Sequence, residues 1–237
     1  MEKLVNGAAR LGITLTSRQI EQFQSYYQLL AEWNQRFNLT AIVDYQEVQI
    51  KHFLDSLTVS LAMTTNISEA RIMDVGSGAG LPGIPLKIVW PQIRLTLLES
   101  VGKKTTFLSH LVNELGLEAV DVVTGRAEEV AYLSSYREQF DVTISRGVAG
   151  MATLSELCLP FCQIAGIFIA QKKGDIVQEM AQAERAIALL GGQICQVKTI
   201  DLPELADNRY LVVVEKVSAT PLCYPRRPGM PGKRPLK

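Results

Sequence analysis

Ile72-Met73-Asp74-Val75-Gly76-Ser77-Gly78-Ala79-Gly80-Leu81-Pro82-Gly83 is the stretch that decides how this 237-residue chain folds. The apolar run to Val75 has the length of a strand and leads straight into a glycine-rich turn. Pro82 and Pro85 are placed to start the next helix. Glycines let the backbone bend tightly and let a ligand approach with no Cβ in the way. In an open parallel sheet this first strand-to-helix turn is where a ligand binds.

Outward from the turn, strand-like and helical runs alternate. The strand candidates are Arg71–Val75, Arg94–Glu99, Ala119–Thr124, Asp141–Ser145, Ile164–Gln171, Gln193–Thr199 and Tyr210–Lys216. Helical patterns fall at about 82–90, 103–115, 151–160 and 175–190, with Gly116 and Gly191-Gly192 where helix ends favour glycine. This alternation predicts a Rossmann-like α/β fold over 67–217, its sheet mostly parallel and covered on both faces. No helix separates the last two strand candidates, so an antiparallel last strand is expected.

Residues 1–66 read as a helical extension. Thr16-x-x-Gln19 forms a capping box ahead of Ile20, Phe23, Tyr27, Leu30, Trp33 and Phe37, and Asp44-x-x-Glu47 opens a second helix through Ile50, Phe53, Leu57 and Leu61. Residues 218–237 hold Pro221, Pro225, Pro228, Pro231 and Pro235, half of the ten prolines. That composition predicts an extended arm rather than a helix.

Hydrophobic residues make up 47% and charged ones 20%, the balance of an ordinary globular protein. No apolar run reaches the roughly 18 residues of a membrane span, and Met1 to Leu15 carries no leader pattern, so a cytoplasmic location is expected. Cys158, Cys162, Cys195 and Cys223 lack metal-site spacing, and no metal is expected. The net charge is zero but unevenly spread. After Glu215 come six basic residues, Lys216, Arg226, Arg227, Lys233, Arg234 and Lys237, and no acidic one. The basic arm and the Lys103-Lys104 pair are the candidates for nucleic-acid phosphates, in particular Arg226, Arg227, Lys233 and Arg234.

Two ligands compete for the glycine turn. Gly78-x-Gly80-x-x-Gly83 satisfies the dinucleotide pattern, with Glu99 at a suitable distance for ribose hydroxyls. Asp74, two residues before Gly76, would repel a pyrophosphate. It suits a cationic cofactor without phosphate, and S-adenosylmethionine is one. Asp74, Gly76, Gly78, Gly80 and Glu99 are then cofactor candidates, and Ala127-Glu128, after the third strand, is placed to reach an adenine ring.

The run Asp74-Val75-Gly76-Ser77-Gly78-x-Gly80-Leu81-Pro82-Gly83-Ile84-Pro85 resembles the bacterial small-subunit rRNA guanine-N7 methyltransferases, also called the glucose-inhibited division protein B family. Trp33-Asn34 with Asn38-Leu39-Thr40, Lys51-His52-Phe53-x-Asp55-Ser56, Leu98-x-Ser100, Phe107-Leu108, Ser145-Arg146 and the tail from Tyr224-Pro225-Arg226-Arg227 match in the same order. The resemblance implies a class I S-adenosylmethionine methyltransferase. It also implies cofactor contacts at Gly76, Leu81, Ala127, Glu128 and Arg146, and methyl transfer by in-line displacement to N7 of guanine 527 in 16S rRNA. The substrate would be naked 16S rRNA, the small ribosomal subunit or an assembly intermediate, met by a monomer. Ser145-Arg146-Gly147-Val148-Ala149 departs from the family's Ser-Arg-Ala followed by an aromatic, which loosens the expected pocket wall there.

N7 carries an in-plane lone pair, so its attack needs no general base and the absence of a recognisable acid–base pair is consistent. Arg146, ending the fourth strand, is the catalytic candidate, as a positioner of guanine or an anchor of cofactor. His52 and Asp55, three apart on one helix face, read as a helix-stabilising pair or as substrate-facing groups. The rival readings are a methyltransferase on another substrate, a nicotinamide-dependent oxidoreductase, and a non-catalytic RNA-binding assembly factor.

Overall fold

The structure is a computed structural model that describes residues 1–63 and 69–236. The expected boundary at 66/67 and Lys237 lie outside the described residues. Seven strands form one sheet in the order β3-β2-β1-β4-β5-β7-β6. They are β1 (Arg71–Val75), β2 (Arg94–Glu99), β3 (Val120–Thr124), β4 (Phe140–Arg146), β5 (Cys162–Lys173), β6 (Gly192–Ile200) and β7 (Arg209–Lys216). The first five pair in parallel, and β7 runs antiparallel between β5 and β6. The chain leaves β1 towards β2 on one side and returns to β4 on the other, so the ligand crevice opens between β1 and β4.

Central strands need apolar side chains on both faces, and only the first residues of β1 and β2 are exposed. One face is covered by α1 (Glu2–Arg10), α2 (Ser17–Phe37), the helical segment 45–62, α5 (Gly83–Val89) and α6 (Gly102–Glu114). The other is covered by α7 (Ala127–Val130), α8 (Met151–Cys158) and α9 (Val177–Leu189).

The capping box at Thr16 and Gln19 is formed, and Gln19 does more than cap. Its Nε2 donates to the Ile88 and Val89 carbonyls at 3.0 and 3.1 Å, while Gln22 Nε2 donates to Leu115 O at 2.9 Å. These are the last, otherwise orphaned carbonyls of α5 and α6. Further along α2, Tyr26 donates its hydroxyl to Ala79 O at 2.5 Å. Thus α2 lies antiparallel to both helices and ends at the ligand edge of the sheet.

The helix opened by Asp44 is less regular than its periodicity predicts. α3 (Tyr45–Val48) widens into a π-helical stretch, Gln49–Leu54, then narrows through α4 (Asp55–Leu57) into a 3₁₀ turn, Thr58–Ala62. Wide turns of this kind recur at functional sites, and this one carries His52.

The tail is not the extended arm that its prolines suggest. Arg137 donates to the carbonyls of Thr220, Pro221 and Tyr224, Tyr132 to that of Pro225, and Thr153 to that of Pro231. Arg226 clasps the fully buried Glu156 through Nε and Nη2, the latter at 2.6 Å. A single helical turn, α10 (Met230–Lys233), follows with a proline in its first turn, the one place a helix tolerates it. The tail is a strap docked on α7 and α8, fixed by contacts its composition does not reveal.

Candidate cofactor and substrate site

Two cavities open along the carboxyl edge of the sheet. The first, of about 420 Å³, lies over the ends of β1 and β2 and is lined by Gly76, Gly78, Leu81, Glu99, Lys104 and Arg146, among others. Its volume falls in the range of about 300–1,000 Å³ usual for small-molecule sites. The second, of about 210 Å³, lies over the ends of β4 and β5 and the start of β7. His52, Arg146 and Gly147 line both. A larger hollow of about 580 Å³, near Ala70 and Asp141, sits at the opposite edge and holds none of the expected residues.

The glycine turn is bent by Gly76 and Gly78 at φ +73° and +59°. A Cβ on Gly76 would lie 2.6 Å from Val148 Cγ2, so the cradle exists only without a side chain there. Glu99 is fixed from both sides, its Oε2 accepting from Gly78 N–H at 3.0 Å and Oε1 from Val101 N–H at 2.9 Å. Oε1 also accepts from the Ser100 hydroxyl at 3.5 Å, and Oε2 keeps a further lone pair for a ligand hydroxyl.

Apart from that of Ala79, the amides of the turn are already used. Gly76 and Ser77 donate to Leu98 O, Gly80 and Leu81 to Ser77 O, Gly78 to Glu99 and Gly83 to Asp74. A pyrophosphate would need several of them free, which removes the physical basis of the dinucleotide pattern. A cradle closed to Cβ atoms, beside a fixed carboxylate, fits a ribose-bearing cofactor that makes no phosphate contacts.

Two expected cofactor residues serve the turn from beneath. Asp74 is wholly buried, does not line the cavity, and accepts Gly83 N–H through Oδ2 at 2.9 Å. Burial raises its pKa to about 7 against the opposing pull of that hydrogen bond and of Arg146. Its Oδ1 has no hydrogen-bond partner among the described residues. Gly83 must be glycine because a Cβ would sit 2.8 Å from Asp74 Oδ2. Gly80, at φ +91°, faces the core, where a Cβ would meet Ile84 and the Tyr26 hydroxyl.

Ala127 and Glu128 open α7 just after Gly125, whose N–H donates to Glu99 O at 3.0 Å. Both are buried and outside the lining of the first cavity. Glu128 Oε1 accepts Gly229 N–H at 2.9 Å, so the strap holds it.

Arg146 stands at the junction of the cavities. Its Nη1 donates to Asp55 Oδ2 at 2.9 Å and to Lys51 O at 3.1 Å, and Nη2 lies 3.4 Å from His52 Nδ1. Asp55, 3% exposed, also meets Arg209 Nη1 at 3.3 Å, so one buried carboxylate serves two guanidiniums. His52 Nε2 lies 2.8 Å from Thr40 Oγ1. Burial, and then Arg146, push the His52 pKa down to about 4, so the ring is neutral near pH 7. Asp55 therefore acts on Arg146 rather than simply on its own helix, while His52 lies beside the guanidinium with its Nδ1 on the Lys51 carbonyl at 3.1 Å.

The strand ends bring in residues that sequence reasoning passed over, Gln171 and Lys172 from β5 and Arg209 from β7, and the π-helical stretch adds Lys51. Gln171 at the end of the fifth strand candidate, with Lys172-Lys173 just beyond it, was the available signal. Lys104 lines the first cavity, whereas Lys103 is exposed with its ammonium 5.7 Å from the Phe37 ring centroid. Of the tail candidates, Arg227, Lys233 and Arg234 are exposed and Arg226 is engaged by Glu156. No group of three or more metal-ligating side chains occurs among the described residues, and no described helix is long and apolar enough to cross a membrane.

Residues 19–208 match the family model described as rRNA small subunit methyltransferase G. A protein of that name from Dehalococcoides mccartyi (strain BAV1) is 51% identical over 236 residues, covering 100% of both chains. One from Brevibacillus brevis is 44% identical over 99% of this chain and 98% of its own. Among solved structures, an S-adenosylmethionine-dependent methyltransferase from Aquifex aeolicus superposes with a TM-score of 0.54 at 15% identity, over 73% of this chain and 94% of its own. A mutant of MtNAS in complex with S-adenosylmethionine gives 0.56 at 17% identity, over 91% and 77%. At these identities the structural likeness speaks for the fold alone.

Proposed function

The chain belongs to the rRNA small subunit methyltransferase G family, and from that membership and the site geometry we propose that it methylates N7 of guanine 527 in 16S rRNA, using S-adenosylmethionine, in the cytoplasm. The observation that carries this reading is the junction at Arg146, where a cofactor-sized cavity whose turn amides are nearly all engaged within the chain meets a cavity walled by basic side chains.

S-adenosylmethionine, when bound, would supply an electrophilic sulfonium methyl group whose sulfur leaves as a neutral thioether, and the in-plane lone pair of N7 needs no prior loss of a proton to receive it. The chain's own part is to bind, orient and exclude water. Gly76, Gly78 and Leu81 would cradle the cofactor and Glu99 would take its ribose hydroxyls, while Ala127 and Glu128, outside the cavity lining, are given no contact with it. Arg146, held by Asp55 and the Lys51 carbonyl, orients the reactants without occupying N7. Lys104 and the exposed Lys103, Arg227, Lys233 and Arg234 meet RNA phosphates.

The test is to map N7-methylguanine in 16S rRNA from cells with and without the gene. Loss of the mark at one guanine is expected, and an unchanged map overturns the assignment. Arg146→Ala should lower turnover by about 100-fold, the scale of lost positioning, with the fold retained because Asp55 keeps Arg209. Near-normal turnover removes Arg146 from the mechanism.

A further inference from the structure

The segment that joins β4 to α8 borders the first cavity, and its own backbone does little to hold it there. Among the described residues, no backbone–backbone hydrogen bond reaches residues 147–149, and Gly147 turns the chain at φ +68°. Two side chains from elsewhere supply the hold. Lys172 Nζ donates to Ala149 O at 3.0 Å. Glu179, in the first turn of α9, accepts Met151 N–H through Oε1 at 2.5 Å, and a Cβ on Gly150 would lie 3.8 Å from that same oxygen. Lys172 and Glu179 meet each other at 2.6 Å with side chains only 12% and 29% exposed, so salt screens the pair less than an open surface one. A single ion pair thus grips the loop at Ala149 and again at the first amide of α8.

Between Gly147 and that grip sits Val148. Its side chain lies over Gly76, with Cγ2 2.6 Å from where a Cβ would be, and it lines the first cavity. It is 42% exposed, so a ligand in the cavity would cover apolar surface that now meets water. Val148 can stand at this depth only if the loop does. Glu179 lines neither cavity and Lys172 only the second, so both act on the first from outside it.

Building on the cofactor reading proposed above, we infer that Lys172 and Glu179 are positioning residues for S-adenosylmethionine binding. By pinning Ala149 and Met151 they set Val148 against Gly76, and so fix the apolar wall that the cofactor would bury. The ion pair is a latch on the wall of one cavity that shapes the other.

Calorimetric titration of the full-length protein with S-adenosylmethionine tests this without recourse to turnover. Glu179→Ala removes both the acceptor of Met151 N–H and the partner of Lys172, and should raise the cofactor Kd by about fivefold, the scale of one lost hydrogen bond. Val148→Ala should raise it by a similar factor, about fivefold, through the apolar area no longer offered. The double variant should bind within about twofold of Val148→Ala alone, because a wall already removed cannot be misplaced. If the two effects multiply instead, or if Glu179→Ala lowers the melting temperature while the cofactor Kd stays at the wild-type value, the inference is overturned. Lys172→Met leaves Glu179 on Met151 but frees Ala149; it is read in the same cycle with Val148→Ala, by the same two criteria, and serves if Glu179→Ala does not fold. A wild type that binds no S-adenosylmethionine overturns the cofactor reading itself, and the inference with it.

Discussion

Replacing Arg226 by alanine separates a structural strap from an RNA-binding arm. Glu156 has no exposed surface, and Arg226 reaches it through Nε at 2.9 and 3.2 Å, Nη2 at 2.6 Å and its own backbone N–H at 2.7 Å. Alanine would keep only the backbone bond and leave a buried carboxylate without its cation. Removing one partner of a buried pair costs about 3–5 kcal/mol. Because the Arg226 side chain is 24% exposed and water can enter its place, the lower end, about 3 kcal/mol, is the expected loss. For a chain of this size that is a fall of about 6–12 °C in Tm.

Thermal unfolding followed by circular dichroism reads the stability effect, and RNA binding across a salt series reads the alternative. The double variant Glu156→Leu with Arg226→Leu should recover most of the loss, since an apolar pair of similar volume removes the uncompensated charge. Arg227→Ala and Arg234→Ala should stay within about 0.5 kcal/mol of wild type and flatten the salt dependence of RNA binding. If Arg226→Ala melts like wild type while losing RNA affinity as its exposed neighbours do, the strap argument is wrong.

Two buried groups should give the protein opposing pH dependences. His52 is held down to about 4 from 6.5, so the unfolded chain takes its proton first and stability falls on acidification through that window. Asp74 is held up to about 7 from 3.8, so the folded protein takes that proton first and stability rises on acidification from about pH 7 to 4. Urea midpoints at pH 7 and pH 4.5 should therefore shift upward on acidification, relative to wild type, in His52→Gln and downward in Asp74→Asn; curves parallel to wild type in both would refute the assignment. Gly76→Ala puts a Cβ at φ +73° and 2.6 Å from Val148, which should cost about 1–2 kcal/mol of stability and lower cofactor affinity at least tenfold by calorimetry. Tyr26→Phe orphans the Ala79 carbonyl and should lose about 1 kcal/mol, with a cofactor Kd raised a few-fold; an unchanged Kd would show that α2 does not support the turn.

The sheet was legible because each of its devices is local. Burial on both faces of a parallel strand demands apolar runs, and the helix between strands needs its own period, so all seven strands lie within a few residues of where pattern puts them. The antiparallel β7 followed from the missing helix after Ile200. The capping box at Thr16 was equally local. The reach of Gln19 to α5 was not, because hydrogen bonds to Ile88 and Val89 span about seventy residues of chain.

The site divides in the same way. Gly76, Glu99 and Arg146 sit at strand ends, where topology alone brings them together, and Asp74 could be placed next to the turn but not beneath it. Whether a carboxylate faces ligand or core depends on Gly83 curling back over it, which no spacing rule encodes. Gln171, Arg209 and Asp55 come from three distant segments and converge only through the sheet order. The docking of the tail depends on Glu156, a charge inside an otherwise apolar helix pattern whose partner lies seventy residues away.

The helical extension is best understood as a wall of the site rather than an appendage to it. Gln19 in the first turn of α2 satisfies the carbonyls that end α5, Gln22 does the same for α6, and Tyr26 holds the glycine turn at Ala79. Asn38 then ends α2 in the left-handed conformation and turns the chain so that Leu39 and Thr40 line the first cavity. Thr40 in turn meets His52 on the π-helical stretch, and that stretch and α4 deliver the Lys51 carbonyl and Asp55 to Arg146. A bare α/β sheet would present Arg146 at the end of β4 with neither a fixed direction nor a second cavity beside it. Cofactor geometry is thus built mainly by the sheet and its first turn, while the direction of Arg146 and the enclosure of the second cavity are imposed from residues 38–58, which through Leu39, Thr40 and His52 also wall the first.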